Sequence, residues 1–156
     1  MMLKFRPATI ADLAVVLDWV TDSRTFLSWA GPKVRYPADA AMVWSDMQAS
    51  ADNTFGIFLK DGYIAGFGQI LLRDNGRVHL ARLIVDPGLR RQGLGRLLCH
   101  QLMKTAKRFA VREFTLNVYM DNRAALALYR SLGFKARKRQ DREDVLYMRM
   151  AAPQDR

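Results

Sequence analysis

Between Leu80 and His100 the chain reads LARLIVDPGLRRQGLGRLLCH, a run that dictates a strand, a sharp stop and a helix in immediate succession. Leu80 to Val85 is apolar enough for a buried strand. Asp86-Pro87 ends it, because proline has no N–H to give to a central ladder. A tight loop follows in which Arg90, Arg91 and Arg96 flank Gly93 and Gly95. Leu94, Leu98 and Leu102 then recur at helical spacing. A helix that leaves directly from a glycine-bearing loop presents unpaired N–H groups and a partial positive charge. Such a start is an anion site, and phosphate is the anion it favours. Glycines between a strand and a helix are often only a connection; the arginines and the fixed strand end set this one apart.

The 156 residues fit one domain, read as residues 1–150 with a tail at 151–156, and 50% hydrophobic content is enough for a core without metal or crosslinks. The single cysteine, Cys99, excludes an internal disulfide and any cysteine-based metal cluster, and no metal is expected. The start MMLKFRPATI lacks the apolar core of a signal peptide, and no apolar run approaches the roughly 18 residues needed to span a membrane. A cytoplasmic protein is the expectation. The formal charge of +10 implies attraction to polyanions: nucleic acid, a phosphorylated cofactor or an acidic substrate.

In chain order, Leu3 to Arg6 reads as a first strand ending at Pro7. Thr9 and Asp12 resemble a capping box. Ile10, Leu13, Val16, Leu17 and Val20 give an amphipathic helix. An irregular connection holding Trp29 and Tyr36 leads to a second helix over about Ala38 to Ala49. The pattern then turns extended: Phe55 to Lys60, an Asp61-Gly62 turn, Tyr63 to Leu72, an Asp74-Asn75-Gly76 turn, and the strand carrying His79 and Leu83. Gly66 and Gly68 suggest a bulge or a close backbone approach. After the leucine-rich helix come a strand over Phe114 to Met120 and a helix from Asp121-Asn122 to a left-handed stop at Gly133. Two short strands follow, about Lys135 to Arg139 and Val145 to Met150.

Two segments, taken together, resemble a known family. The first is Val85-Asp-Pro87-Gly-Leu-Arg90-Arg-Gln-Gly93-Leu-Gly95; the second is Asn122-Arg-Ala-Ala125-Leu-Ala-Leu-Tyr129-Arg-Ser-Leu-Gly133-Phe134. Their order and spacing resemble those of the GNAT superfamily of acyl-CoA-dependent N-acetyltransferases. The resemblance covers the middle and C-terminal half; the N-terminal helices share its order but no specific motif. It implies an α/β (α+β) fold: a mixed, mostly antiparallel sheet of about seven strands, splayed in a V between strands 4 and 5 and flanked by about four helices. It implies acetyl-CoA as cosubstrate and an amine as acceptor. The pyrophosphate would lie on the N–H groups and side chains of Arg90, Arg91, Gln92, Gly93, Leu94, Gly95 and Arg96. The backbone of Leu83, Ile84 and Val85 would pair with the pantetheine arm in a form of β-augmentation. Asn122 would be both N-cap and coenzyme A contact. Tyr129 would be the general acid for the departing thiolate, a fitting donor since a phenol titrates near 10.

The general base is less determined. Some members carry a glutamate on the strand after the long helix, where this chain has Asn117, which cannot act as a base. Others place one near the position held here by His79, whose imidazole could take the proton directly or through water; it could equally be a substrate-lining or surface histidine. A substrate amine of low pKa needs no base. His100 and Cys99 lie about 100° apart on one helix, so they form no dyad, and Cys99 reads as core filler. Phe26, Trp29, Tyr36 and Trp44 either line an acceptor pocket or pack as core. The basic cluster Lys135, Arg137, Lys138, Arg139 and Arg142 is a solvated strand edge or a lure for an acidic acceptor. A dinucleotide-binding reading fails, because GLGRLL lacks the third glycine and the loop follows the fourth strand. A basic nucleic-acid-binding module is disfavoured for want of aromatics on a sheet face or a reading helix. A coenzyme A sensor without catalysis remains an alternative, as does a homodimer.

Overall fold

The computed structural model describes residues 2–138 and 143–153. Seven strands form one sheet: β1 (Leu3–Pro7), β2 (Thr54–Leu59), β3 (Ile64–Leu72), β4 (Arg77–Val85), β5 (Glu113–Tyr119), β6 (Lys135–Lys138) and β7 (Val145–Ala151), hydrogen-bonded in the order β1-β2-β3-β4-β5-β7-β6. β1–β2, β2–β3, β5–β7 and β6–β7 are antiparallel, whereas β4 and β5 are parallel. The parallel register covers Arg77–His79 against Glu113–Thr115 and ends there. The helices are α1 (Ile10–Leu17), α2 (Ser23–Ala30), α3 (Ala40–Asp46), α4 (Leu94–Ala106) and α5 (Arg123–Leu132).

Local signals built most of these boundaries. Thr9 and Asp12 form the reciprocal capping box that opens α1. Asn122 caps α5 through a bond accepted from the Ala125 N–H at 3.2 Å, and Gly133 closes it at φ 110°. The expected Asp74-Asn75-Gly76 turn carries positive φ at Asn75 and Gly76. Three details differ from expectation. The aromatic connection contains α2, opened by Asp22, whose carboxylate accepts from the Thr25 N–H at 2.9 Å. α1 ends at Leu17 rather than Val20, and α3 spans Ala40–Asp46 rather than Ala38 to Ala49. β6 is described as far as Lys138; Arg139 and Arg142 of the basic cluster lie outside the described residues. A bulge does sit beside Gly66, since Ile57 pairs Gly66 while Phe58 pairs Ile64 and Ala65 is left over. Crowding is not its cause there: a Cβ on Gly66 would meet Ile84 O at an ordinary 3.5 Å, whereas one on Gly56 would strike the Phe58 ring at 2.9 Å.

By contact the chain divides into two compact units, Met1–Gln69 with Arg82–Gln101 and Ile70–Ala81 with Leu102–Arg156, so β3, β4 and α4 each run through both. The first unit's core gathers Leu13 and Val16 of α1, Phe26 and Trp29 of α2, Val43 of α3 and Phe67 of β3. Phe26, Trp29 and Phe67 pack as aromatic neighbours, so these rings are core rather than open pocket wall. Tyr36 is different: it tilts against Phe26 yet stays 42% exposed. The second unit buries Phe114, Leu116, Val118, Leu126, Phe134 and Met148.

Candidate functional site

In the first unit, β4 delivers the chain into the arginine–glycine loop. Asp86 fixes the turn: its side chain accepts from the Gly88 N–H at 2.8 Å and from the Tyr63 hydroxyl at 2.9 Å. That carboxylate raises the Tyr63 pKa, since a phenolate beside it would lose the hydrogen bond and meet a like charge. Arg91 and Gly93 both take left-handed backbone, at φ 66° and 79°. Alternation of this kind turns successive N–H groups towards one side. α4 begins at Leu94, so Gly95 lies inside its first turn, and the first intrahelical bond runs from the Leu97 N–H to Gly93 O at 3.1 Å. The N–H groups of Leu94, Gly95 and Arg96 precede that bond and stand at the positive end of the helix.

The loop fits a phosphorylated ligand. Arg90, Arg91, Gln92, Gly93 and Arg96 are exposed, whereas the Leu94 side chain is buried and anchors the loop. A Cβ built on Gly93 meets no atom within 4 Å, so the glycine leaves open space where a ligand oxygen would lie. Arg90 Nε donates to Val85 O at 3.4 Å, a long bond that folds the side chain back along β4. Leu83, Ile84 and Val85 are half-buried at the end of the strand.

Just before them β4 is deformed. Arg82 sits in the strand at φ 54°, and its side chain donates to Ala30 O at 2.8 Å and to Gln69 Oε1 at 2.7 Å. Trp29 Nε1 donates to Arg82 O at 2.7 Å. Gln69, fully buried, donates in turn to Met47 O and Thr54 Oγ1. This network binds α2, β3 and β4 within the first unit, and sequence reasoning missed it altogether. No glycine marks the left-handed position, and its partners lie far away in the chain.

The second unit holds the other two candidates. His79 pairs with Thr115 across β4 and β5, and His79 Nδ1 lies 2.8 Å from Thr115 Oγ1. In the tautomer where Nδ1–H donates to that hydroxyl, Nε2 carries the lone pair that a base requires. Asn117 follows Thr115 by two residues on β5, so it shares the face of His79. The two positions at which the resemblance puts a base therefore belong to one sheet surface. Tyr129 is 8% exposed and packs edge-on against Phe134 at 6.1 Å, and Asn122 is exposed at the opening of the same helix. Cys99 is wholly buried, which pushes its thiol up to about 12, in keeping with core filler.

Known proteins share the fold. Residues 16–134 match the profile described as the Acetyltransferase (GNAT) family. The chain belongs to that family. Among curated relatives, it is 39% identical over 77 residues to the [ribosomal protein bS18]-alanine N-acetyltransferase of Escherichia coli K12, a match covering 48% of this chain and 50% of the relative. The chain thus spans about half the length of the curated relatives it matches. Among solved structures, the ribosomal-protein-S18-alanine N-acetyltransferase from Escherichia coli superposes with a TM-score of 0.73 at 24% identity, over 99% of this chain and 96% of that one. An N-acetyltransferase from Thermoplasma acidophilum in complex with coenzyme A gives 0.70 at 18% identity, over 97% and 99%. Both likenesses show the fold. No helix among the described residues is long and apolar enough to cross a membrane.

Proposed function

We propose that this chain is an N-acetyltransferase that moves an acetyl group from acetyl-CoA to a primary amine by direct attack. The observation that carries the reading is the loop at Arg90–Arg96: left-handed backbone at Arg91 and Gly93, open space at Gly93, and a helix start with exposed arginines. That chemistry suits a diphosphate. Bound acetyl-CoA supplies a thioester carbonyl as acetyl donor. The backbone of Leu83, Ile84 and Val85 pairs with the amide-bearing arm, and Asn122 adds a contact at the α5 start. His79, oriented by Thr115, takes the proton that the attacking amine loses as the C–N bond forms. Tyr129 gives its phenolic proton to the sulfur as the C–S bond breaks. The named activity of the bS18-alanine relative supports a protein or peptide N-terminal amine as acceptor, although Asn117 means that the base differs from a glutamate at that place. Residues 1–150 act as one domain in this reading, supported by a family match that runs across both compact units, and the site of action is cytoplasmic.

The test is release of free thiol from acetyl-CoA across small amines and N-terminal peptides, paired with calorimetry of coenzyme A binding. Tyr129→Phe is expected to lower turnover about 100-fold, within the range for a lost general acid, while coenzyme A affinity holds. Near wild-type turnover in that variant removes Tyr129 as the acid.

A further inference from the structure

Cross-strand registers line up one row of side chains across four strands of the second unit: His79 opposite Thr115, Thr115 opposite Arg149, Arg149 opposite Lys135. The next row on the same face is Asn117, Tyr147 and Arg137. Directly opposed residues share a face, so half-buried His79 and these cations lie on one side of the sheet, with buried Thr115 between them. Asn117, Lys135, Arg137 and Arg149 are exposed; Tyr147 is half-buried. Among the described strand residues of this face, Arg77, Lys135, Arg137 and Arg149 stand against one carboxylate, Glu113, which lies 3.8 Å from Arg149 Nε.

Packing does not call for that excess. Like charges placed directly opposite, as Lys135 and Arg149 are, weaken a sheet. A lysine on the edge strand β6 guards against stray pairing, but Arg149 sits on β7, between β5 and β6, where no edge needs guarding. Geometry supplies a use. Strands lie about 4.8 Å apart, so β7 is about 10 Å and β6 about 14 Å from the strand of His79. An extended peptide advances about 3.3 Å per residue, which makes those distances three to four residues from its terminal amine.

Resting on the acetyl-transfer reading above, we propose that this face selects the acceptor: an acidic N-terminal peptide. Its amine is presented at His79, and carboxylates at its third to fifth residues lie over Arg149, Lys135 and Arg137. Asn117 and Tyr147 offer hydrogen-bonding partners to the peptide between the two ends. A peptide fits better than a nucleic acid because the cations lie about 10–14 Å from the strand of the candidate base and cover the span of only a few residues.

Three decapeptides beginning Ala-Gly test this, with residues three to five acidic, neutral or basic and the remainder identical. Binding to the intact protein saturated with coenzyme A is measured by calorimetry, and acetyl transfer separately by thiol release. The acidic peptide is expected to bind at least ten-fold more tightly than the neutral one. The charge-reversed variant K135E/R137E is expected to erase or invert that order, with coenzyme A affinity unchanged as the sign of an intact fold. Equal binding of all three peptides overturns the proposal, as does an acidic preference that survives charge reversal. An RNA oligonucleotide that binds in a charge-reversal-sensitive way, without any acidic-peptide preference, also overturns it and makes the face a polyanion site. Charge-sensitive acidic-peptide binding with no thiol release from any acceptor keeps the face and sinks acetyl transfer. Equal turnover of all three peptides does the opposite.

Discussion

Gly93 and Arg82 both take positive φ, for opposite reasons. Gly93 lies exposed at φ 79° with no atom near the place of a Cβ. Arg82 lies inside a strand at φ 54°, held by hydrogen bonds to residues 13, 52 and 53 positions away. A non-glycine residue in this region costs about 1–2 kcal/mol. At Gly93 the cost is avoided by residue choice, and the loop is left open to a ligand. At Arg82 the cost is accepted and offset by three long-range hydrogen bonds. One deviation is therefore local and outward-looking, whereas the other is imposed by the core of the first unit.

The sharpest way to break this comparison is Gly93→Asp. Aspartate is among the few side chains that visit left-handed backbone at modest cost, and nothing crowds the site, so the fold should survive. It brings a negative charge to the place proposed for a diphosphate and fills the open space. Coenzyme A affinity is expected to fall by at least about 100-fold, close to 2.7 kcal/mol, with the thermal midpoint little changed. Calorimetry that returns wild-type affinity would sink the phosphate-loop assignment and with it the contrast.

Stability should rank the two positions the other way. Arg82→Ala removes the donor to buried Gln69 Oε1 and to Ala30 O while leaving the strained backbone in place. Unsatisfied buried acceptors cost about 1–3 kcal/mol each, so a loss of about 2–6 kcal/mol is expected for the two. Gly93→Ala carries only the backbone strain, about 1 kcal/mol. Urea denaturation of both variants measures the order. If Gly93→Ala proves the more damaging, the hydrogen bonds of Arg82 do not hold the first unit's core.

The same division between local and long-range causes decides what could be read from the sequence. The Thr9–Asp12 box, the Asn122 cap and the Gly133 stop are each settled by residues within a turn of one another, and all three were legible. So was the turn from β4 into α4, where Gly93 takes positive φ and the helix starts at Leu94. Helix α2 was within reach but overlooked: Asp22 precedes it as an N-cap, and Phe26, Trp29 and Ala30 stand at helical spacing. Its aromatics instead suggested an irregular, substrate-lining connection. Arg82 was out of reach, since nothing in RVHLARLIV marks a left-handed residue. The surface around His79 needs the registers of four strands before its charges are seen together.

Helix α4 carries both characters at once, and its cysteine gives the smallest and most specific measurement. Its first turn offers N–H groups towards solvent, while Cys99 on its inner side is fully buried. Desolvation disfavours the thiolate and lifts the thiol from 9.0 to about 12, opposed only weakly by Arg96. At neutral pH the folded protein then holds on the order of 1,000-fold less thiolate at this position than the unfolded chain, since each pKa unit is a factor of ten. A raised folded-state pKa leaves stability intact below pH 9.0 and erodes it as pH climbs towards 12. A disulfide reagent should therefore leave the native thiol unmodified between pH 7 and 9 and titrate one thiol in denaturant. Arg82→Ala should speed native labelling through more frequent opening, whereas Gly93→Asp should not. Equal acceleration in both variants would mean that the loop and the Arg82 network support the same core, and the distinction between them would fall.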